Sequence, residues 1–341
     1  MKPEVSEQLF IEELFSGSKK ELDTETVELK MIERLTGDAS TRRYYRLFTN
    51  KNSYVACLDN PTERGENSFV RVQGFLQRYD VRVPRIYDRS VEKGYILEED
   101  LGDITLLQYL SEIKNRKEEF EIYKKILDIL LSIHKIPLED VKSSGKFDLF
   151  FDEKKLNSEI NFTTDFFIKR FLRVSDSSVH KKINDSFKEI NSRLASEKMV
   201  LTHRDFHSRN IMVKEDDFIV IDFQDARQGI PQYDLVSILE DCYYELDSNN
   251  RYMLIEYYYN NLPKEVHGQH SYEEFTSLYN DMTLQRVFKA IGSFSYIYET
   301  RKDVRYTKYI GFAMEKIKRI LFRDEKYNAL REILFKYYYE S

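Results

Sequence analysis

His203-Arg204-Asp205-Phe206-His207-Ser208-Arg209-Asn210 is followed shortly by Ile219-Val220-Ile221-Asp222-Phe223, and apolar runs flank both polar clusters. The runs predict a strand-loop-strand element, MVLTHRDFHSRNIMV, EDDF, then IVIDF, that delivers Asp205, Asn210 and Asp222 at strand ends and loop positions. Phosphoryl transfer needs this set. One carboxylate, Asp205, positions an attacking hydroxyl and takes its proton, while the Asn210 amide oxygen and the Asp222 carboxylate hold a divalent metal against phosphates. Oxygen ligands of this kind suit magnesium, which keeps several of its own waters. His203 and His207 read first as loop scaffold. Asp234, just before the apolar run Leu235-Val236-Ser237-Ile238-Leu239, is expected either to cap helix amides or to brace the loop from below.

Upstream of this element the pattern changes. Residues 1–21 read as a helical lead-in, and VELKMIERL, TRRYYRLFT and SYVACLD as three antiparallel strands. A helix is expected over residues 67–79, and a second strand pair from Val83-Pro84-Arg85-Ile86 to Gly94-Tyr95-Ile96-Leu97. Residues 105–133 predict two helices broken near Lys114–Lys117; residues 159–172 and 180–194 predict one each; beyond Pro231 the chain is mainly helical. The expected architecture is α+β, with an N-terminal lobe over residues 1–100 and a mainly helical C-terminal lobe over residues 101–341.

Composition sets bounds around this. The 341 residues are 41% hydrophobic and 33% charged, an ordinary globular balance, and include 25 Tyr and 23 Phe but no Trp. The surplus of tyrosine over residues 243–260 reads as packing more than as a partner surface. A net charge of −6 with interspersed signs argues against nucleic acid as a partner. No stretch has the length to insert in a membrane, the N-terminus lacks the apolar core of a signal peptide, and two distant cysteines fit a reducing setting; the expected location is cytoplasmic. Protein partners are not legible.

HRDFHSRN and VIDFQDARQGIPQYDLVSIL resemble the aminoglycoside phosphotransferase-like kinases, which share the bilobal protein-kinase-like fold. Asp222-Phe223-Gln224 in place of a DFG triplet and His207 in the loop point to the small-molecule branch. Further upstream, Thr36-Gly37-Asp38-Ala39-Ser40-Thr41-Arg42-Arg43-Tyr44-Tyr45-Arg46 is similar to the first-strand loop of the bacterial N-acetylmuramate/N-acetylglucosamine anomeric kinases of cell-wall recycling. The likeness continues through Leu97-Glu98-Glu99-Asp100-Leu101-Gly102 and, more weakly, Gln285-Arg286-Val287-Phe288-Lys289-Ala290-Ile291-Gly292.

The resemblance implies ATP and Mg2+ as cofactors and an N-acetylated amino sugar as acceptor. It implies that Asp205 is the catalytic base and that Asn210 and Asp222 bind metal. Gly37, Ser40 and Arg43, with the interlobe residues Glu98, Asp100 and Leu101, would attend the nucleotide. Glu159, Asp165, His207 and Arg209 would attend the acceptor. The third strand, SYVACLD, lacks the lysine that protein kinases place there. Another small alcohol, such as an aminoglycoside, choline or homoserine, or a catalytically silent nucleotide-binding module, remains an alternative at this stage.

Overall fold

In a computed structural model of the chain, residues 5–18, 22, 26–35, 42–59, 67–267 and 270–340 are described. They divide into two compact units. The first comprises residues 1–105 and 211–224, and the second residues 106–210 and 225–341.

The first unit is built on a five-stranded sheet, β1 (Leu29–Arg34), β2 (Arg43–Thr49), β3 (Ser53–Leu58), β4 (Ile86–Ser90) and β5 (Tyr95–Glu99), in the order β1-β2-β3-β5-β4. All neighbours run antiparallel. Side chains alternate across a strand, so Tyr45 and Leu47, Tyr54, Ala56 and Leu58, and Tyr95 and Leu97 share one face. There they bury against Ile11, Leu14 and Phe15 of α1 (Val5–Ser18). The strand pair begins at Ile86 rather than Val83, because Pro84 has no N–H to give a ladder. Helix α2 (Ser68–Gln77) is capped by the Asn67 side chain, which accepts the Phe69 N–H at 2.7 Å.

The hairpin of Ile211–Lys214 and Asp217–Val220, within the C-terminal lobe by the sequence boundary, groups with this unit. It is tied there by Val213 N–H to Ile104 O (2.8 Å) and by the Arg82–Asp217 ion pair (3.0 Å).

The second unit contains α3 (Leu106–Glu112), α4 (Arg116–His134), α5 (Leu138–Ser143), α6 (Glu153–Thr163), α7 (Ser177–Ala195), α8 (Gln232–Leu239), α9 (Ser248–Asn261), α10 (Lys264–His267), α11 (Tyr272–Arg301), α12 (Thr307–Leu321) and α13 (Asn328–Leu334). A short antiparallel pair, Val200–Thr202 with Arg227–Gly229, accompanies them. The expected break after α3 is present, with Asn115 capping α4. The helix expected over residues 159–172 instead changes to a π-helix at Thr164–Phe171, which shifts which side chains face inward.

Helix α11 is the spine of this unit. A capping box of Ser271 and Glu274 starts it, and α6, α7, α8 and α12 pack around it. At Gly292 it lies so close to α6 that a Cβ would stand 2.8 Å from the Thr163 Cα, so only glycine fits there. Most of the tyrosine-rich stretch is engaged in packing: Tyr258 is fully buried, and the Tyr244 and Tyr257 hydroxyls donate to Glu119 and Asp128. Both cysteines are free and buried.

Candidate active site

The strand Val200–Thr202 ends where the 203–210 loop begins, and the loop's shape is set by buried carboxylates. Asp234, fully buried in the first turn of α8, accepts the His203 N–H at 2.6 Å and the Arg204 N–H at 2.9 Å. Its side chain therefore braces the loop. The His134 ring lies 3.3 Å from the same carboxylate and meets the Tyr258 hydroxyl on its other side. Arg204 adopts φ +83°, a conformation costly for any residue with a Cβ.

Farther along the loop, Asp241 accepts both the N–H (2.9 Å) and the hydroxyl of Ser208. Asn210 donates its amide N–H to the Asp205 carbonyl at 3.0 Å, which turns the amide oxygen the other way. Asp205 thus stands on a loop fixed on both sides of it.

Its carboxylate faces three cations. Arg286 Nη2 is 3.5 Å and Lys289 Nζ 4.0 Å from one oxygen, and Arg204 Nε is 3.6 Å from the other. Burial alone would raise the proton affinity of this group. Lys289, Arg286 and Arg204 more than offset that and hold it well below the usual carboxylate range. Arg286 is itself fixed: Nε donates to Ser237 Oγ (2.6 Å), Nη2 donates to Arg204 O (3.2 Å), and the guanidinium lies over the Tyr233 ring. It positions the loop as well as charging it. For Lys289, burial lowers the proton affinity against the pull of Asp205.

Beside Asp205 is a cavity of about 130 Å³, walled by His207, Ser237, Asp241, Tyr243, Lys289 and Phe294 among others. Burial pushes the His207 imidazole down, toward its neutral form, against the pull of Asp241 and Asp205. Its Nδ1 has no hydrogen-bond partner among the described residues. Arg209 stacks over Tyr243, whose ring forms part of that wall, at 5.0 Å.

Of the acceptor residues expected from the sequence, the structure joins His207 and, through Tyr243, Arg209 to this cluster. Glu159 is buried, held by Lys155 at 3.2 Å and by Gln285 Nε2 at 3.1 Å, and its charge is felt by Arg286 and Lys289. Asp165 does not join them. It lies on the π-helix, pairing with Arg170 (2.5 Å) and Lys169 (3.7 Å) toward solvent.

In the first unit, Asp222 follows the hairpin with φ +64°, and its carboxylate accepts from Gln224 Nε2 at 2.6 Å. The ring of Phe223 stacks on Phe69, centroids 4.9 Å apart. Glu98 is buried and its proton affinity is pushed up to about 8 by burial, with Arg42 pulling the other way. Asp100 pairs with Arg46 at 2.8 Å and accepts the Gly102 N–H; Leu101 is buried. Arg43 pairs with Glu7 at 2.9 Å. Gly37 and Ser40 lie outside the described residues.

Arg286 and Lys289 were not legible as site residues. The available signal was two cations three apart in the otherwise uncharged run Leu284 to Gly292, a spacing that puts both on one helix face.

A fold of five antiparallel strands over one unit and a helical second unit, with an HRDxxxxN loop and a strand-delivered aspartate, defines a small-molecule phosphotransferase. The model of the phosphotransferase enzyme family matches residues 31–267, and the chain belongs to that family.

Among curated relatives, the chain is 29% identical over 276 residues to the N-acetylmuramate/N-acetylglucosamine kinase of Pseudomonas aeruginosa, covering 80% of this chain and 78% of that one. It is 24% identical to the enzyme of the same name from Neisseria meningitidis, covering 83% of each. Solved structures with the same fold include the choline kinase LicA from Streptococcus pneumoniae (TM-score 0.57, 16% identity, 91% of this chain and 99% of that one). Another is the Plasmodium vivax ethanolamine kinase (TM-score 0.58, 16% identity, 94% and 90%). The protein-kinase-like fold expected from the sequence is the fold of the chain.

Proposed function

We propose that the chain transfers the terminal phosphoryl group of ATP to the anomeric hydroxyl of N-acetylmuramate or N-acetylglucosamine, giving a sugar 1-phosphate for peptidoglycan recycling. The observation that carries this is Asp205, held ionised by Arg204, Arg286 and Lys289 at the wall of a small cavity. The carboxylate accepts the hydrogen bond of the acceptor hydroxyl, orients its oxygen for attack, and receives the proton late, as a loose transition state requires. The relatives named above supply the sugar.

The charge of the cavity supports a neutral or acidic acceptor over an aminoglycoside or choline. Two of its three wall carboxylates are engaged, Glu240 by Arg251 and Arg319 and Asp241 by Ser208, and the third, Asp205, already faces Arg204, Arg286 and Lys289, whose charge would oppose an incoming ammonium.

Asn210 and Asp222 would hold the magnesium. An amide oxygen and a carboxylate are hard donors of the kind magnesium takes, and Asn210 donates its amide N–H to Asp205 O. Among the described residues no three His, Cys, Asp or Glu side chains cluster to cage a metal. When bound, it neutralises charge on the phosphates. The backbone of residues 98–101 would receive the adenine edge.

Phosphorus NMR after incubation with ATP, magnesium and each sugar tests the reading, with Asp205→Asn as control. An acid-labile sugar 1-phosphate made by the unaltered protein, and reduced on the order of a hundredfold or more in the variant, is expected. Demonstrable ATP binding with no new ester from either sugar would refute it.

A further inference from the structure

The cavity next to Asp205 has the wrong size for a whole sugar. Its volume of about 130 Å³ is slightly less than the ~150 Å³ of a cavity that holds one benzene, too little for an N-acetylated hexose with its substituents, and leaves room for one substituent of an acceptor whose ring lies outside it. The composition of its wall indicates which substituent. Val236, Ala290 and Phe294 offer apolar surface, and Lys289 contributes an ammonium.

The charged groups around that ammonium are otherwise occupied. Arg286 is spent on Ser237 and the Arg204 carbonyl, Glu240 on Tyr279, Arg251 and Arg319, and Asp241 on Ser208 and Tyr243. Among the described residues Lys289 Nζ makes no hydrogen bond; it has only the distant Asp205 carboxylate at 4.0 Å. A half-buried ammonium with donors to spare, beside the apolar groups of Val236, Ala290 and Phe294 in an otherwise polar wall, is matched by a ligand carboxylate carried on a short alkyl group.

We propose that this cavity receives the lactyl ether of N-acetylmuramate, with Lys289 binding its carboxylate, so that the site prefers the muramate to N-acetylglucosamine, which has no such group. The inference rests on the sugar reading above. The hydroxyl held by Asp205 and the carboxylate held by Lys289 then belong to one acceptor, and the two protein groups are near enough for a single hexose to span. The methyl of the lactyl group meets Val236, Ala290 and Phe294. Lys289 is on this account a specificity determinant, distinct from Arg286, which positions the loop.

The test is the ratio of kcat/KM for N-acetylmuramate to that for N-acetylglucosamine, measured on one preparation of each protein. In Lys289→Met the ratio should fall about ten- to a hundredfold, the size expected for one hydrogen bond to a charged group, mainly through KM for the muramate. Lys289→Arg should restore part of it. A parallel loss on both sugars, with the ratio unchanged within twofold, overturns the inference and leaves the sugar reading standing. No turnover of either sugar by the unaltered protein removes both. Should Lys289→Met fail to fold, Ala290→Val narrows the same cavity; a fall in the ratio supports the assignment and an unchanged ratio overturns it.

Discussion

Asp234→Asn is the most informative single change, because it alters one buried oxygen without altering volume. In the native protein both carboxylate oxygens are occupied, by the His203 and Arg204 amides at 2.6 and 2.9 Å, and the residue has no exposed surface. Asparagine keeps one acceptor. Its NH2 group turns toward either the second amide or His134, and one backbone N–H is orphaned. An unsatisfied buried donor costs about 1–3 kcal/mol, and loss of charge on the remaining bond costs about 1 kcal/mol more. The strained Arg204, at φ +83°, then loses one of the two bonds that hold it there.

The sum is about 3 kcal/mol, a large share of the ~5–15 kcal/mol by which folded proteins are stable. Urea unfolding should show the midpoint lowered with little change in slope. Because Arg204 directly precedes Asp205, relaxation of its backbone moves the Asp205 carboxylate, and on the proposed function kcat should fall at least tenfold; misplacement by about 1 Å can cost a hundredfold. A variant within about 0.5 kcal/mol and twofold in kcat of the unaltered protein would refute the assignment of Asp234 as the brace.

Two further changes probe the scaffold. The Glu98 carboxyl holds its proton to about pH 8 in the folded chain but only to its ordinary value of 4.5 when unfolded. Its contribution to stability is therefore present at low pH and lost as pH rises through that window, a swing on the order of a few kcal/mol; Glu98→Gln should flatten the pH dependence of the urea midpoint between those limits, and an unchanged slope would contradict the burial argument. Gly292→Ala drives a methyl into Thr163 and should cost about 1–3 kcal/mol by overpacking, read as a lowered Tm.

The strand-loop-strand element around HRDFHSRN was legible because its pattern is local: apolar runs on either side of the polar loop form Val200–Thr202, Ile211–Lys214 and Asp217–Val220, and the alternation of β2, β3 and β5 gave the sheet its buried face. The electrostatics of Asp205 were not local. Arg286 and Lys289 come from a helix some eighty residues downstream, and nothing in a 3.6-residue period says which carboxylate a helix face will meet.

Glu159 and Asp165 were expected to attend the acceptor together, but they stand six residues apart on either side of the start of a π turn that leaves no mark in the sequence, one buried and the other toward solvent. Arg42, Arg43 and Arg46 illustrate the same limit. Strand alternation presents such residues to solvent or to a ligand, whereas the fold gives each a carboxylate, Asp59, Glu7, and Asp100 with Asp103.

Three cations around one carboxylate carry a chemical consequence. They lower the proton affinity of Asp205, which makes it a poor base for an unactivated alcohol. They also offset the repulsion between that carboxylate and the phosphates of a donor, a need sharpened because β3, Ser53–Leu58, contains no lysine. A weakly basic, strongly orienting carboxylate suits an acceptor whose hydroxyl is already acidic and a reaction in which the proton leaves after the oxygen–phosphorus bond has begun to form. The hemiacetal hydroxyl at the anomeric carbon is more acidic than the other hydroxyls of a sugar. The electrostatics of Asp205 therefore suit the proposed attack by that oxygen.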